Sequence, residues 1–227
     1  MVTRVLVTGA ANGIGRATAE AFRASGARVV GLDLKAGDSI VACDLRQEAD
    51  IMRAVKAAAD ELGGLDVIVN NAGILREAPL ADVTADDIDQ HFAVNVRGAI
   101  LVTREALPHL KPGARIINIA SELAYLGRAK ASVYCASKAA LLALTRSWAR
   151  ELAPHILVNA VAPGPTDTPL LGFDSLTPEQ QAQETAHPLG RIGKPEEVAA
   201  AVLFLASPQA SLFTGQCLGA NGGATMA

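Results

Sequence analysis

Seven short apolar segments alternate with helix-forming segments along the chain, and this order restricts the possible folds more than any other feature. The apolar segments are continuous rather than interrupted by polar residues, which is typical of parallel strands covered on both faces. They lie at residues 5–8, 28–32, 39–43, 66–70, 115–120, 156–161 and 216–219. The helix-forming segments lie at residues 13–25, 47–62, 95–110, 132–152 and 195–206. This alternation predicts an α/β fold, a single doubly wound Rossmann-type domain over residues 1–227 whose seven-stranded parallel sheet is flanked by helices.

Composition supports a well-packed domain and argues against several functions. Of the 227 residues, 50% are hydrophobic and 19% are charged, which suits a large buried core. The net charge of −3 offers no general attraction to nucleic acid or to an anionic membrane. The three cysteines lack metal-binding spacing, and no signal peptide or membrane span is visible. We therefore expect a cytoplasmic protein with reduced thiols and no metal site.

A glycine-rich turn, Thr8-Gly-Ala-Ala-Asn-Gly-Ile-Gly15, joins the first predicted strand to the first predicted helix. Gly9, Gly13 and Gly15 permit a tight turn, close approach of a pyrophosphate, and close packing of helix on strand. The helix N-terminus would then offer free N–H groups and the positive end of its dipole to the phosphates. An ordinary glycine turn can have a similar composition, but the position of this turn between a strand and a helix favours a dinucleotide site.

Asp33 ends the second predicted strand, where the adenosine ribose of such a dinucleotide would lie. Its carboxylate can accept hydrogen bonds from ribose hydroxyls and would repel a 2′-phosphate. Neither Ala11 nor Leu34 offers a positive charge to that phosphate, although Lys35 is close in sequence. A solvated strand-end carboxylate would look the same, but we predict NAD rather than NADP.

Tyr134 and Lys138 lie four residues apart in a predicted helix, so their side chains project from one face. A nearby ammonium favours phenolate and would lower the pKa of Tyr134 from about 10 towards the working pH. A Tyr and an unrelated Lys on a helix surface can have the same spacing, so this pair indicates a catalytic site only together with the other motifs of the chain.

Together these residues resemble the short-chain dehydrogenase/reductase family over nearly the whole chain. The family's motifs occur in order: the glycine turn, Asp44-Leu45, Asn70-Asn-Ala-Gly73, Asn95, Ser121, Tyr134-x-x-x-Lys138, and Asn159-Ala-Val-Ala-Pro-Gly164 before Thr168. The resemblance implies an oxidoreductase that transfers a hydride between a nicotinamide and a secondary alcohol or ketone.

The resemblance also implies roles for individual residues. Tyr134 would exchange a proton with the substrate oxygen, and Lys138 would lower its pKa and bind the nicotinamide ribose. Ser121 would hydrogen-bond the substrate oxygen, and Asn95 would hold a water behind Lys138; as alternatives, Ser121 could be a turn residue and Asn95 a helix residue. The implied cofactor-binding residues are Gly9, Asn12, Gly13, Ile14, Gly15, Asp33, Leu34, Asp44, Leu45, Asn71, Ala72, Gly73, Tyr134, Lys138, Pro163, Gly164, Thr166 and Thr168.

The substrate pocket is expected to contain Ser121, Glu122, Leu123 and Tyr134, under a loop or lid formed by residues 165–190. Glu122 could bind a second substrate hydroxyl, which favours a cyclic diol or polyol. A weaker resemblance to 2,3-dihydro-2,3-dihydroxybenzoate dehydrogenases and polyol dehydrogenases agrees with this.

Other substrates and functions stay open. Arg76 and Arg128 could bind a carboxylate bidentately, although solvated surface arginines fit equally well. The alternatives to a diol or polyol dehydrogenase are a 3-oxoacyl thioester reductase and, from another class, a non-catalytic regulator that senses the dinucleotide.

Two expectations concern the larger architecture. Only ten residues separate Asp33 from Asp44, so the helix that family members usually carry there must be reduced to a loop, which opens the adenine side. The resemblance also implies a homotetramer, or a homodimer, in which the helices at residues 95–110 and 132–152 pair between subunits.

Overall fold

A parallel sheet of seven strands forms the centre of the protein in the computed structural model, which describes residues 3–226. The strands are β1 (Arg4–Thr8), β2 (Arg28–Asp33), β3 (Ile40–Ala42), β4 (Leu65–Asn70), β5 (Leu110–Ile119), β6 (Ile156–Val161) and β7 (Cys217–Leu218). Their spatial order is β3-β2-β1-β4-β5-β6-β7, and all pairs are parallel. The predicted fold class is therefore confirmed.

Helices cover both faces of this sheet. They are α1 (Gly13–Ala24), α2 (Glu48–Leu62), α3 (Ala85–His91), α4 (Ala99–Ala106), α5 (Leu123–Leu126), α6 (Ser132–Leu152), α7 (Pro178–Glu184) and α8 (Pro195–Ala206). In β1, Leu6 packs into the core that includes α2 and α4, while Val5 and Val7 pack into the core that includes α1 and α8. Because both faces of each central strand are buried, the strand sequences are continuously apolar.

The strand order reverses between β1 and β4, and this reversal positions the site. The chain builds outward from β1 to β3 and then crosses back to place β4 on the other side of β1. The loops that follow β1 and β4 therefore diverge, which leaves a crevice at the carboxyl ends of the strands.

The structure differs from the predicted elements at several positions, among them the start of β5 at Leu110 rather than at residue 115, and agrees at others. A π-helical turn, Phe92–Gly98, separates α3 from α4, so the helix predicted at residues 95–110 begins earlier and ends at Ala106. The segment 165–190 contains α7 rather than a loop alone. The connection between β2 and β3 has no helix, as its length predicts.

Candidate active site

A cleft of about 400 Å³ follows the carboxyl ends of the central strands. All the predicted catalytic, cofactor and substrate residues line it except Gly15 and Asn95. Gly15 lies directly behind the turn, where a Cβ atom would collide with the carbonyl oxygen of Gly9. Asn95 lies behind Gly73. A Cβ atom added to Gly73 would be 3.4 Å from Asn95 Oδ1 and 3.3 Å from Lys138 Nζ. The fold thus brings the sequence-predicted residues to one place.

The glycine turn has a shape that suits a pyrophosphate. Gly9 and Gly13 have φ angles of 66° and 53°, a region that side chains other than glycine rarely adopt. Asn12 precedes α1 without making a side-chain capping hydrogen bond, so the first N–H groups of the helix are open to an anion. Thr8 Oγ1 accepts from the backbone N–H groups of Asn71 and Ala72, both at 3.0 Å, which fixes the turn against the end of β4.

Asp33 stands at the rim of the cleft and is held by its own neighbours. Its carboxylate accepts from the N–H of Ala11 at 2.9 Å and from the N–H of Leu34 at 2.8 Å. These bonds orient the carboxylate and leave it further lone pairs for ligand hydroxyls. Arg46 and Gln90 line the same end of the cleft, and sequence reasoning missed both. Arg46 follows Asp44 by two residues, and this spacing is the sequence feature that could have identified Arg46 as a cleft residue.

Tyr134, Lys138 and Ser121 meet at the other end, and all three are at least nine-tenths buried. Lys138 Nζ donates to the carbonyl oxygen of Ile119 at 2.8 Å and lies 5.7 Å from the centre of the Tyr134 ring. Ser121 Oγ donates to Glu122 Oε2 at 3.0 Å and accepts from the N–H of Leu123 at 3.2 Å. A phenol, an amine, a hydroxyl and a carboxyl thus converge on one small volume.

The pKa expected for Tyr134 is wrong for this structure. Burial raises the pKa of Tyr134 above its ordinary value, and the charge of Glu122 raises it further, while Ser121 lowers it. In the free protein Lys138 does not outweigh this burial: its Nζ donates to the carbonyl oxygen of Ile119, and burial lowers the pKa of its own ammonium to about 8. Burial also raises the pKa of Glu122 to about 7. Three groups at this end therefore differ from their ordinary protonation behaviour, a property that is concentrated at functional sites.

Asn95 is held by the π-helical turn. Its Oδ1 accepts from the N–H of Ile74 at 2.8 Å, and its Nδ2 donates to the carbonyl oxygen of Ile74 and to Ser137 Oγ, both at 3.0 Å. The side chain thus ties the loop after β4 to α6. Turns of this kind are frequent at functional sites, because the extra residue re-aims a side chain.

Two groups of charged pairs, centred on Arg128 and Arg76, lie near the substrate end. Arg128 Nη2 lies 2.5 Å from Glu184 Oε1 on α7 and 3.6 Å from Glu77 Oε1. Arg76 pairs with Asp86 at 3.1 Å. Both arginines considered as carboxylate ligands therefore already have acidic partners. The segment 165–190 also contributes Leu170 and Leu171 to the cleft, and the sequence pattern did not identify them.

Nearly the whole chain is similar to known oxidoreductases. The family model described as enoyl-(acyl carrier protein) reductase matches residues 9–225. A 3-oxoacyl-[acyl-carrier-protein] reductase of Thermotoga maritima is 39% identical, with 96% of each chain covered. The chain belongs to the short-chain dehydrogenase/reductase family. It is therefore an oxidoreductase with a nicotinamide dinucleotide cofactor.

Other members of the family differ in substrate and cofactor. A 2,5-dichloro-2,5-cyclohexadiene-1,4-diol dehydrogenase of Sphingobium indicum is 37% identical, with 97% of this chain and 96% of that protein covered. A Burkholderia cenocepacia short-chain dehydrogenase in complex with NADP has a TM-score of 0.92 and 37% identity, with 97% of each chain covered. A Brucella melitensis 3-ketoacyl-(acyl-carrier-protein) reductase complexed with NADH has a TM-score of 0.90 and 35% identity, with 99% of this chain and 98% of that chain covered. None of the helices in residues 3–226 combines the length and hydrophobicity needed to cross a membrane.

Proposed function

We propose that this protein is an NAD-dependent dehydrogenase that interconverts a secondary alcohol and its ketone, with Tyr134 as the general acid and base. The observation that carries the proposal is the convergence of Ser121, Tyr134 and Lys138 at one end of a cleft whose other end holds the glycine turn and Asp33.

The proton chemistry follows from the burial of these residues. Tyr134 is protonated in the free protein because burial favours the neutral phenol and raises its pKa, so it can donate to the oxygen of a ketone. In alcohol oxidation the phenol must lose its proton, which an adjacent cation favours, and Lys138 is the buried cation beside it. Ser121 would hydrogen-bond the substrate oxygen. Asn95 would act as a positioning residue through Ile74 and Ser137.

The residues that would hold the cofactor fit a dinucleotide without a 2′-phosphate. The turn at Gly9–Gly15, Asn12 and Ile14 would hold the pyrophosphate, and Asp33 would accept from the ribose. When bound, the nicotinamide supplies the site that gives or takes a hydride. The other proposed contacts are Leu34, Asp44, Leu45, Asn71, Ala72, Gly73, Tyr134, Lys138, Pro163, Gly164, Thr166 and Thr168. The relatives include both NADP and NADH complexes, so the preference for NAD rests on Asp33 alone.

Glu122 favours a cyclic diol or polyol as the substrate. This residue is 6% exposed and lines the cleft, and its carboxyl group has a hydrogen bond from Ser121 but no cationic partner within salt-bridge distance among the described residues. A buried carboxyl group is costly unless a donor satisfies it, and a second substrate hydroxyl would do so. The similarity to a cyclohexadiene-diol dehydrogenase supports this class.

The similarity to 3-oxoacyl-[acyl-carrier-protein] reductases supports a second candidate, reduction of a 3-oxoacyl thioester. Arg76 and Arg128 are paired with carboxylates, so neither offers a free guanidinium to an anionic part of such a substrate.

Turnover with a substrate panel tests the proposal. The purified protein would be incubated with NAD or NADP and cyclic diols, polyols, 3-hydroxyacyl esters and simple secondary alcohols, and the absorbance of the reduced cofactor followed. We expect turnover with NAD on diols, and Glu122→Ala should lower kcat/KM for diols about tenfold more than for simple alcohols. Glu77→Ala, outside the cleft, is the matched control. Binding of NADH without turnover on any of these compounds would favour the regulator instead.

We also propose that the protein acts in the cytoplasm as a homotetramer, with residues 165–190 as a lid within one domain. Cys43, Cys135 and Cys217 are free thiols in the structure.

A further inference from the structure

The hydroxyl group of Ser121 has a single proton, and the carboxyl group of Glu122 competes with the substrate for it. Ser121 Oγ lies 3.0 Å from Glu122 Oε2 and accepts from the backbone N–H of Leu123 at 3.2 Å. An ionised carboxylate only accepts hydrogen bonds, whereas a protonated carboxyl group also donates one. With Glu122 ionised, the serine proton is therefore directed to Glu122. With Glu122 protonated, its O–H and the N–H of Leu123 fill both lone pairs of Ser121 Oγ, and the serine proton is free for a substrate oxygen.

The fold holds Glu122 in this position and gives its carboxylate little other support. The residue follows β5 directly after Ser121, and its backbone N–H donates to the carbonyl oxygen of Pro163 at 3.0 Å. It is 6% exposed, and no cation lies within salt-bridge distance of its carboxyl group in residues 3–226. Burial raises its pKa to about 7, so both protonation states occur near neutral pH.

The other titratable groups that face Glu122 come from three segments. Tyr134 and Cys135 lie on α6, Arg128 lies between α5 and α6, and Glu184 ends α7. Burial raises the pKa of both Tyr134 and Cys135, so the phenol and the thiol are neutral near pH 7. The charge of Glu184 raises the pKa of Glu122 and that of Arg128 lowers it, and these two residues are paired at 2.5 Å. Of these five groups, Glu122 is the one whose charge changes near neutral pH.

We propose that Glu122 is a positioning residue whose protonation decides whether Ser121 can donate to the substrate oxygen. This inference rests on the proposed function, in which Ser121 hydrogen-bonds that oxygen. A ketone oxygen only accepts hydrogen bonds, so it needs the serine proton. Reduction of a ketone is therefore fast when Glu122 is protonated and slower when it is ionised.

The direction of this effect distinguishes it from a direct effect of charge on Tyr134. The charge of Glu122 raises the pKa of Tyr134. Acting in this way alone, the carboxylate would help Tyr134 to keep the proton that reduction needs as the pH rises. Loss of the donor of Ser121 acts in the opposite direction. A rate of reduction that falls as Glu122 ionises therefore comes from the serine and not from the charge on Tyr134.

The pH dependence of ketone reduction tests this inference. The unchanged protein, Glu122→Gln and Ser121→Ala would be assayed between about pH 5.5 and pH 9.5 with saturating NADH and either cyclohexanone or 2-hydroxycyclohexanone. For the unchanged protein, kcat/KM for the ketone should fall about tenfold, with its midpoint near the pKa of Glu122, about 7, and then level off. Glu122→Gln does not titrate and should lack this step, and Ser121→Ala should be slower throughout and lack it too. Glu48→Gln, which removes a carboxylate that pairs with Arg104 away from the cleft, should keep the step.

A second readout does not depend on turnover. Infrared difference spectra follow the protonated carboxyl group of Glu122, whose band is identified by its loss in Glu122→Gln. Because the bond from Ser121 stabilises the carboxylate, Ser121→Ala should raise the titration midpoint of Glu122 by roughly one pH unit.

The outcomes separate this inference from the proposed function. A flat profile for the unchanged protein, or a step that persists in Glu122→Gln, would overturn the role of Glu122 while the observed reduction supports the proposed function. Lys138, whose pKa is lowered to about 8 by burial, would then account for a persisting step. A step that persists in Ser121→Ala would overturn the role as well.

Two further results are decided by the remaining measurements. If neither ketone is reduced, the proposed function fails for these substrates. The infrared midpoint then decides the inference: an unchanged midpoint in Ser121→Ala overturns it, and a raised midpoint supports it. If circular dichroism shows that Ser121→Ala does not fold, the profiles of the unchanged protein and Glu122→Gln decide the question.

Discussion

Among single residues, Tyr134 has the environment that most directly constrains the proposed chemistry. Its side chain is 8% exposed, and burial raises its pKa, so it holds a proton at neutral pH. Tyr134→Phe removes only the hydroxyl and should lower kcat by about 10²–10⁴-fold, the usual contribution of a positioned acid or base. The Kd for NADH should change little, because the ring and the neighbouring packing are retained. Stopped-flow turnover and fluorescence titration measure the two quantities, and retained turnover would reject Tyr134 as the acid and base.

Glu122 should make the stability of the protein depend on pH. Burial raises its pKa from an ordinary 4.5 to about 7, so the folded state binds more protons than the unfolded state between these values. Stability from this group is therefore present below about pH 4.5 and is lost as the pH rises through about 7. Glu122→Gln lacks this loss, so its free energy of unfolding relative to the unchanged protein should rise by about 2–3 kcal/mol between pH 5 and pH 8. Urea unfolding at both pH values measures this. Glu77→Gln, at a more exposed position, should show no such trend, and parallel curves for Glu122→Gln would contradict the assignment.

Among the structural elements, the short helix α7 ends at a carboxylate that forms a largely buried ion pair. Glu184 is 5% exposed, and Arg128 is the cation that faces it. Arg128→Met leaves the carboxylate buried without a partner, which costs about 3–5 kcal/mol in such sites. We expect α7 to open instead, so that amide hydrogen exchange of residues 178–184 becomes at least tenfold faster. Arg128→Met combined with Glu184→Met should restore most of the protection, and no recovery in the double variant would show that the pair is not what holds α7.

The predicted elements succeeded where the signal was local and failed where it depended on tertiary contacts. The strand at residues 66–70 and the helix at residues 132–152 have strong apolar patterns and end within one residue of the observed bounds. The π-helical turn around Asn95 has no sequence pattern of its own, because it is stabilised by bonds to Ile74 and Ser137 from other elements. The glycine turn and the Tyr134–Lys138 spacing indicated the cleft. The pairing of Asp44 with Arg46 depends on side-chain positions, which the sequence pattern does not give.

At the scale of the whole molecule, cofactor binding should raise the stability of the fold. A ligand that binds only the folded state stabilises it by about 2.7 kcal/mol at a free concentration of 100 times its Kd. For a chain of this length that corresponds to an increase in Tm of roughly 5–10 °C. NADH should give this increase at lower concentration than NADPH, because the Asp33 carboxylate repels a 2′-phosphate. Differential scanning fluorimetry with both cofactors tests this, and a larger shift with NADPH would reject the proposed preference.

The distribution of apolar surface argues for assembly. The apolar run of α6 packs inward, with Leu141 and Leu142 buried in the protein's own core. Ile88, Phe92 and Ile100, from α3 through α4, are exposed by 44%, 39% and 37%, and this apolar surface is what pairing of these helices between subunits would bury.

Sedimentation should therefore give a mass near four times the chain mass of 23.4 kDa. Ile100→Glu should shift the protein to smaller species, because a charge there would be desolvated in the interface. Met52→Glu, on the exposed face of α2, should leave the mass unchanged. A monomeric mass for the unchanged protein would reject the assembly, and the cleft would then have to be complete within one chain.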